Sequence, residues 1–168
     1  MTRFTVTSDG TFRTPDAVYR TALGKGGVKP EADKVEGDGA TPLGVYTLRR
    51  VLYRKDRGPA PATALPVRVI RAEDGWCDAP EDPAYNRPVR LPYPASCEDM
   101  TRRDELYDIV VVLSHNDDPP VPGKGSAVFL HCAKPGYPQT LGCVALARTD
   151  LEQVLAGAGP GDTLEIRR

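Results

Sequence analysis

Short runs of β-prone residues, several of them alternating between apolar and polar positions, follow one another along the whole chain. "YDIVVVLSH" is a continuous apolar run rich in β-branched residues, and "SAVFLH" is a second one. Runs of this kind predict central strands covered on both faces. Sixteen glycines and 17 prolines separate the runs throughout, which favours a loop-rich, mainly β fold. The strands expected are Thr2–Thr7, Thr11–Thr14, Ala17–Ala22, Gly44–Tyr53, Pro66–Arg71, Asp108–Ser114, Ala127–Cys132, Cys143–Ala147 and Thr163–Arg167.

Helix signals are few. Thr149 and Glu152 form a capping box ahead of "LEQVLAG", with Gly157 as the stop. Ser96 with an acidic residue three positions on predicts a second short helix, Glu98–Glu105. The first two strands flank "SDG", a hairpin turn. The Pro-rich connections between runs are too short to link domains, so residues 1–168 are expected to form a single domain.

The charge balance excludes several partner classes. Twenty-two Lys and Arg oppose 23 Asp and Glu without long runs of one sign, so neither nucleic acid nor an anionic membrane is an expected partner. No segment has the apolar length of a membrane helix, and the N-terminal residues lack the apolar stretch of a signal peptide. A soluble, untargeted chain, monomeric in its assembly, is therefore expected.

Four cysteines raise the question of disulfides. A chain of this length needs no covalent staples and has no C-x-x-C pair, so free thiols are favoured over disulfides. Cys77 and Cys97 have no histidine near them in sequence and are expected to be packing residues. Cys132 alternates to the opposite strand face from His131 and is expected in the core.

His131 and Cys143 carry the candidate chemistry. His131 would end one central strand and Cys143 begin the next, with eleven residues between to bring the two ends together. An imidazole beside a cysteine activates the thiol as a nucleophile for acyl transfer. Gly142 would let the backbone turn sharply there and leave N–H groups free for an oxyanion. The alternative is a buried thiol beside a structural histidine.

Other polar residues are candidates for the same site. His115 ends the other apolar strand and is either a substrate contact or second base in the cleft, or a loop-structuring residue. A zinc site from the two histidines, Asp117 and Cys143 is disfavoured because no compact ligand pair is present. No metal and no organic cofactor is expected.

Three stretches resemble one known family. "KVEGDGATPLGVYTL", "SHNDDPPVPGKGSAVFLHCA" and "TLGCVAL" are similar to segments of the YkuD-type L,D-transpeptidases of bacterial cell walls, the last matching the signature around the nucleophile. The resemblance covers about Lys34 to Leu155. It implies a curved sheet or sandwich with one or two short helices, Cys143 as nucleophile, His131 as its base, and the Cys132 carbonyl as the group that orients the imidazole.

The resemblance also suggests where substrate is held. Asp74–Asp108 is a polar and aromatic insertion long enough to cap a cleft. The substrate-binding candidates lie in this insertion, in the early segment and beside the two catalytic candidates: Lys34, Asp38, Thr41, Trp76, Tyr85, Asn86, Arg87, His115, Asn116 and Thr140. The alternative for the insertion is a surface loop pinned by its aromatic residues.

Two positions depart from the commoner family pattern. Leu141 stands where that pattern has His, and Ala145 stands where it has Arg. The first change removes a second imidazole and the second removes a fixed charge. Donor recognition and acceptor choice are therefore expected to differ from those of the better-known enzymes, as in a divergent branch.

The function implied is cross-linking of peptidoglycan peptide stems through a thioester, with an acceptor amine at position three or position one of a stem. Two alternatives stand beside it: an L,D-carboxypeptidase or endopeptidase that uses water, and a wall-binding module without catalysis. The resemblance implies work in the periplasm or the cell wall, whereas the sequence shows no export signal. Three alternatives account for this: a leader outside this sequence, unconventional export, or a cytoplasmic recycled muropeptide as substrate.

Overall fold

A computed structural model describes all 168 residues, 36% of them in strands and 7% in helix. The first seven strands are β1 Arg3–Thr7, β2 Thr11–Arg13, β3 Val18–Ala22, β4 Val28–Pro30, β5 Thr41–Tyr53, β6 Val67–Val69 and β7 Asp74–Cys77. They are followed by β8 Pro88–Arg90, β9 Cys97–Asp99, β10 Ile109–Leu113, β11 Phe129–Cys132, β12 Val144–Leu146, α1 Arg148–Ala156 and β13 Thr163–Arg167. A 3-10 helix covers Glu31–Asp33. The prediction of a mainly β fold is confirmed, and each of the nine expected strands is present.

Strand pairing in the large sheet forms a closed circuit because β5 pairs with both β13 and β10. The order is β10-β11-β12-β3-β2-β1-β13-β5, and β5 pairs again with β10. Val45 in the first half of β5 lies opposite Glu165 of β13, whereas Val51 in its second half lies opposite Val111 of β10. At 13 residues, β5 is long enough to pair with β13 along its first half and with β10 along its second half. The curved sheet expected from the resemblance is therefore held together by one long strand.

Two hydrophobic cores lie on opposite faces of β10 and β11. The inner core is a cluster of 20 buried residues, most of them on the strands of the circuit and on α1, and it includes Val111 and Leu130. The outer core lies on the other face: Leu52, Ile70, Trp76, Met100, Tyr107, Val110, Val112, Ala127 and Phe129. Because side chains alternate along a strand, both faces of these two strands are buried, as their apolar runs predicted.

The 74–108 segment supplies three of the nine outer-core residues, Trp76, Met100 and Tyr107, and has a sheet of its own. Strand β7 pairs antiparallel with β8 on one side and β9 on the other. The predicted helix Glu98–Glu105 is wrong, since Cys97–Asp99 is a strand and the residues after it form turns. Trp76 packs edge-on against Phe129, with ring centroids 4.9 Å apart. Burial of this strand against an apolar face outweighs the weak local helix signal.

The helix after β12 is present, but it begins differently from the prediction. It starts at Arg148 with Ala147 at the N-cap, and no side chain makes a capping hydrogen bond, so the proposed capping box is wrong. Gly157 does stand at the C-cap. Leu151, Val154 and Leu155 are buried, which shows that packing against the inner core holds the helix. No helix in the structure combines the length and apolarity needed to span a bilayer.

One buried side chain joins the 74–108 segment to the loops around it. Asn86 is 5% exposed; its Oδ1 accepts from Trp76 Nε1 at 2.9 Å and from the Ala127 N–H at 3.0 Å. Its Nδ2 donates to the carbonyls of His115 at 3.2 Å and Asn116 at 2.7 Å. Its backbone has φ 57°, a left-handed conformation that asparagine tolerates better than most residues. Asn86 therefore satisfies four polar groups that burial would otherwise leave unpaired.

We expect Asn86→Ala to lower the free energy of unfolding by about 3 kcal/mol, because several buried polar groups lose their partners and alanine disfavours positive φ. Urea unfolding followed by Trp76 fluorescence measures the loss. The neighbouring Arg87→Ala, at an exposed position, is the control and should change stability by less than about 0.5 kcal/mol. Equal, small effects of the two substitutions would contradict this role of Asn86.

Candidate active site

His131 and Cys143 share one face of two adjacent strands. Strands β11 and β12 run parallel, with His131 opposite Ala145. Cys143 lies two residues before Ala145, so period-two alternation puts it on the same face as His131. The sequence predicts that the eleven-residue connection folds the two strand ends together. In the structure the register between the parallel strands makes the two side chains diagonal neighbours. Cys143 packs against the outer core, while Cys132 lies in the inner core as predicted.

The imidazole of His131 is held in one tautomer. Its Nδ1 lies 2.8 Å from the Cys132 carbonyl oxygen, the contact expected from the resemblance. A carbonyl only accepts hydrogen bonds, so Nδ1 carries the proton and Nε2 is left with its lone pair. Burial lowers the pKa of His131 to about 4, and the Cys132 carbonyl opposes that shift. At neutral pH the ring is therefore uncharged and able to take a proton at Nε2.

The Cys143 thiol lies between two backbone groups. Sγ donates to the Ala127 carbonyl at 3.2 Å and accepts from the Phe129 N–H at 3.3 Å. Burial, followed by the nearby Glu98 charge, raises the pKa of Cys143 to about 12. The site is therefore a neutral thiol beside a neutral imidazole, and any thiolate at Cys143 would have to be formed by removal of its proton.

The turn before Cys143 fixes its backbone. Thr140 Oγ1 donates to the Cys143 carbonyl at 2.7 Å and accepts from the Gly142 N–H at 3.1 Å. Gly142 has φ 134°, and a Cβ there would lie 2.8 Å from the Ala40 carbonyl oxygen, so both conformation and space require glycine. The Cys143 N–H makes no hydrogen bond within the chain. That free donor lies beside the Cys143 sulfur, the position from which an N–H group stabilises the oxyanion formed when a thiol is acylated.

These groups open into a cavity of about 370 Å³. Among the predicted site residues, five line it: Lys34, His131, Thr140, Gly142 and Cys143. Leu141, 76% exposed, stands on its rim, and Ala145 lines it beside His131. The two positions that depart from the family pattern are thus both at the cavity.

The 74–108 segment lines the cavity with residues that the sequence analysis missed: Asp78, Glu98, Arg102, Leu106 and Tyr107. Tyr107 donates its hydroxyl to Glu98 Oε2 at 2.8 Å, and its ring lies edge-on to His131 at 5.5 Å. Burial raises the pKa of Glu98. The helix wrongly predicted over Glu98–Glu105 hid Glu98 and Arg102, and nothing local in the sequence marks Asp78, Leu106 or Tyr107 as cavity residues.

Lys34 reaches the cavity as half of an ion pair. Its Nζ donates to Asp38 Oδ1 at 2.7 Å and to the Val35 carbonyl at 3.0 Å. Hydrogen bonds from Lys34 and from the Val35 and Ala40 N–H groups hold the pKa of Asp38 far below its usual range, against the opposing effect of burial. Asp38 is therefore a carboxylate at neutral pH, and its contact with Lys34 gives the cavity wall a fixed shape.

The remaining predicted substrate contacts do not line this cavity: Asp38, Thr41, Trp76, Tyr85, Asn86, Arg87, His115 and Asn116. Four of them, Trp76, Asn86, Arg87 and His115, meet at a second cavity of only about 50 Å³. That volume has no room for a peptide. The structure thus brings these four together, but away from His131 and Cys143.

Several of these side chains hold loops. Tyr85 accepts the Gly125 N–H at 2.9 Å and donates to Glu36 Oε1 at 2.7 Å. Thr41 Oγ1 accepts the Gly24 N–H at 2.9 Å. These contacts keep the early segment and the chain before β11 in place around the cavity.

The loop after β10 has its own two polar anchors. His115 Nε2 lies 3.2 Å from the Lys124 carbonyl oxygen, and burial lowers the pKa of His115 to about 4. Asn116 Nδ2 donates to the carbonyls of Val121 and Gly125, each at 3.0 Å. Both side chains therefore fix the loop, which is the structural alternative stated for His115.

The raised pKa of Cys143 predicts its reactivity with iodoacetamide. Only the thiolate reacts, and below the thiol pKa its fraction grows about tenfold per pH unit. We expect the alkylation rate at Cys143 to rise in this way from neutral pH to pH 9 without a plateau, as followed by peptide mass spectrometry. A rate that is already flat from pH 6 would contradict the neutral pair and indicate a preformed thiolate and imidazolium.

Comparison with known proteins adds a family match. The model of the L,D-transpeptidase catalytic domain, YkuD, matches residues 2–166. A search of curated protein sequences gave no match.

Solved structures with a similar fold include L,D-transpeptidase 1 of Mycobacterium tuberculosis, with 13% identity and a TM-score of 0.46 over 99% of this chain and 59% of that one. L,D-transpeptidase 3 of the same organism, in complex with a faropenem-derived adduct, has 14% identity and a TM-score of 0.48 over 99% and 60%. An L,D-transpeptidase from Mycobacterium smegmatis has 15% identity and a TM-score of 0.42 over 99% and 58%. The chain thus spans about three fifths of the length of these structures.

Proposed function

Because the chain belongs to the family of YkuD L,D-transpeptidase catalytic domains, we propose that it cross-links peptidoglycan peptide stems with Cys143 as nucleophile and His131 as general base. The observation that carries this proposal is the placement of both side chains on one strand face at the wall of one cavity. Neither a metal nor an organic cofactor has a step in the reaction.

The first half-reaction forms a thioester. His131 Nε2 takes the proton of the Cys143 thiol, and Sγ attacks the carbonyl carbon of the third residue of a tetrapeptide stem. The peptide bond to the terminal D-alanine breaks, and imidazolium gives its proton to the departing amine. The Nδ1 contact with the Cys132 carbonyl supports this role because it presents Nε2 as the basic nitrogen throughout.

Stabilisation of the tetrahedral intermediate is assigned to the backbone of the nucleophile. The free Cys143 N–H is available to donate to the oxyanion, and the Thr140 and Gly142 contacts keep it in place. A donor fixed before the reaction stabilises developing charge without reorganisation, which is the usual source of large rate effects in acyl transfer.

The second half-reaction transfers the acyl group to an amine. The incoming amine attacks the thioester carbonyl carbon while His131 takes its proton. The C–S bond then breaks, and the imidazolium gives the proton to the departing Cys143 sulfur. The amine belongs either to the side chain of a diamino acid at position three or to the N-terminus of a stem at position one. The cavity contains both acidic and basic side chains, which suits stems that carry carboxylates and ammonium groups together. The proposed place of work is the periplasm or the cell wall, where such stems are cross-linked.

Purified protein and its Cys143→Ala variant, each incubated with disaccharide-tetrapeptide, test the proposal. We expect Cys143-dependent dimers and free D-alanine, resolved by liquid chromatography and mass spectrometry, with fragmentation locating the new bond. Cys132→Ser is the matched control, since that thiol is buried in the inner core and should leave the products unchanged. Disaccharide-tripeptide without dimers would replace the transferase by a carboxypeptidase, and unchanged substrate with measurable sacculus binding would replace it by a wall-binding module.

A reactive thiol served by a base should also be trapped by a strained acyl donor. We expect a carbapenem to acylate Cys143, with the β-lactam ring opening and the intact-protein mass rising by the mass of the drug. Peptide mapping should place the adduct on Cys143 and leave the other three cysteines unmodified. An adduct that survives in Cys143→Ala would contradict the assignment of the nucleophile.

A further inference from the structure

Two of the remaining cysteines face each other across the small sheet of the 74–108 segment. Strands β7 and β9 pair antiparallel, and their register places Cys77 directly opposite Cys97. No pairing of this kind involves Cys132, in the inner core, or Cys143, at the cavity. The chain therefore has one cross-strand cysteine pair, formed by residues far apart enough in sequence to close a substantial loop.

The backbone hydrogen bonds around Cys77 and Cys97 show which kind of antiparallel residue pair the two form, hydrogen-bonded or non-hydrogen-bonded. The Cys77 N–H donates to Arg87 at 3.0 Å and its carbonyl accepts from Asn86 at 2.9 Å, so both groups point away from β9. The next ladder bond toward β9 runs from the Asp78 N–H to the Ser96 carbonyl at 3.2 Å. Cys77 and Cys97 are thus a non-hydrogen-bonded pair. Such pairs have Cα atoms about 4.5 Å apart, within the span that a disulfide bridges.

The environment of the two thiols allows one of them to be reached. Cys97 is partly exposed, with its Sγ donating to the Ala95 carbonyl at 3.3 Å. Cys77 is fully buried, with its Sγ 3.8 Å from Asp82 Oδ2. Each thiol influences the pKa of the other; that of Cys97 is raised to about 11 by burial first and by Cys77 next. The sulfurs are therefore neighbours, with Cys97 as the one open to a reagent.

We propose that Cys77 and Cys97 are a disulfide-forming site that closes on reaction with a small-molecule disulfide. The Cys97 thiolate attacks one sulfur of the reagent, whose S–S bond breaks to release one thiol and leave a mixed disulfide on Cys97. The Cys77 thiolate then attacks the Cys97 sulfur and releases the second thiol. The protein loses two electrons and two protons, and the reagent is reduced to two thiols.

The proposed disulfide would lie directly beside residues that line the cavity. Asp78 follows Cys77 and Glu98 follows Cys97, and both carboxylates line the cavity that holds Cys143. Trp76, on the other side of Cys77, packs on Phe129 of β11. A bond between the cysteines therefore ties together the two strands that deliver these carboxylates, without requiring either strand to move. The inference stands apart from the proposed reaction, since it concerns no reacting atom.

The test uses the full chain carrying Cys143→Ala, which removes the thiol at the cavity, equilibrated with mixtures of reduced and oxidised glutathione and then quenched with iodoacetamide. At oxidising ratios we expect a protein lighter by two hydrogen atoms before alkylation, with peptides containing Cys77 and Cys97 cross-linked and Cys132 fully alkylated. The oxidised form should also unfold at a higher temperature, and dithiothreitol should reverse the shift, because a cross-link restricts the unfolded chain.

Adding Cys97→Ser to this chain should abolish both the cross-link and the thermal shift, whereas adding Cys132→Ser should change neither. Complete alkylation of Cys77 and Cys97 at the most oxidising ratio would overturn the inference. A glutathione adduct that stays on Cys97 without passing to Cys77 would overturn it as well, and neither result depends on the folding of the Cys97→Ser or Cys132→Ser variants.

Discussion

Burial of β10 and β11 on both faces is the constraint on which the rest of the structure depends. Side chains of β11 point alternately inward, as Leu130 and Cys132 do, and outward, as Phe129 does. His131 is on the outward face, beside Phe129. A shift of one residue in this strand would bury the imidazole in the inner core and turn Cys132 toward the cavity. The apolar packing on the two faces therefore fixes which polar group is available for chemistry.

The same burial sets the charge state of the site. Removing charged groups from water is costly, so burial favours the uncharged forms of His131 and Cys143. A neutral pair holds no ion pair that a substrate would have to break, and in the proposed reaction the proton passes to His131 only as the sulfur attacks. The Ala127 carbonyl and Phe129 N–H hold the thiol in the meantime. The site thus combines an uncharged resting state with a fixed backbone donor, the Cys143 N–H, for the oxyanion that forms in the proposed reaction.

The strands around the site, and the strand face on which each side chain lies, could largely be predicted from sequence because the patterns that indicate them are local. Continuous apolar runs marked β10 and β11 as doubly covered strands, and alternation alone separated Cys132 from His131. The parallel register of β11 and β12 could not be predicted in that way, since it depends on where the connecting residues cross over. The Ser96 signal failed for a related reason: the segment after it pairs with β7 and packs on the outer core, and this tertiary burial overrides a single capping signal.

The predicted substrate-binding residues show the same difference between what local sequence patterns indicate and what tertiary packing decides. Trp76 and Tyr85 have the size and polarity of binding residues, yet each uses its polar atom to satisfy a buried neighbour. Composition does not distinguish an aromatic residue that pins a loop from one that faces a ligand, because both kinds of position favour an apolar body with a polar tip. Only the fold reveals that Glu98 and Tyr107, and not these two, reach the cavity.

The 74–108 segment offers a physical explanation for the two positions near Cys143 that depart from the commoner family pattern. Leu141 and Ala145 leave the strand side of the cavity without the imidazole and the guanidinium of the commoner pattern. The facing segment brings Asp78, Glu98 and Arg102 to the same space. Because electrostatic recognition depends on where charges lie in the cavity and not on which strand carries them, polar contacts to a substrate can move from one wall to the other without any change in His131 or Cys143. Selectivity in this branch is therefore expected to depend on the packing of β7 and β9 as much as on the residues that flank the cysteine.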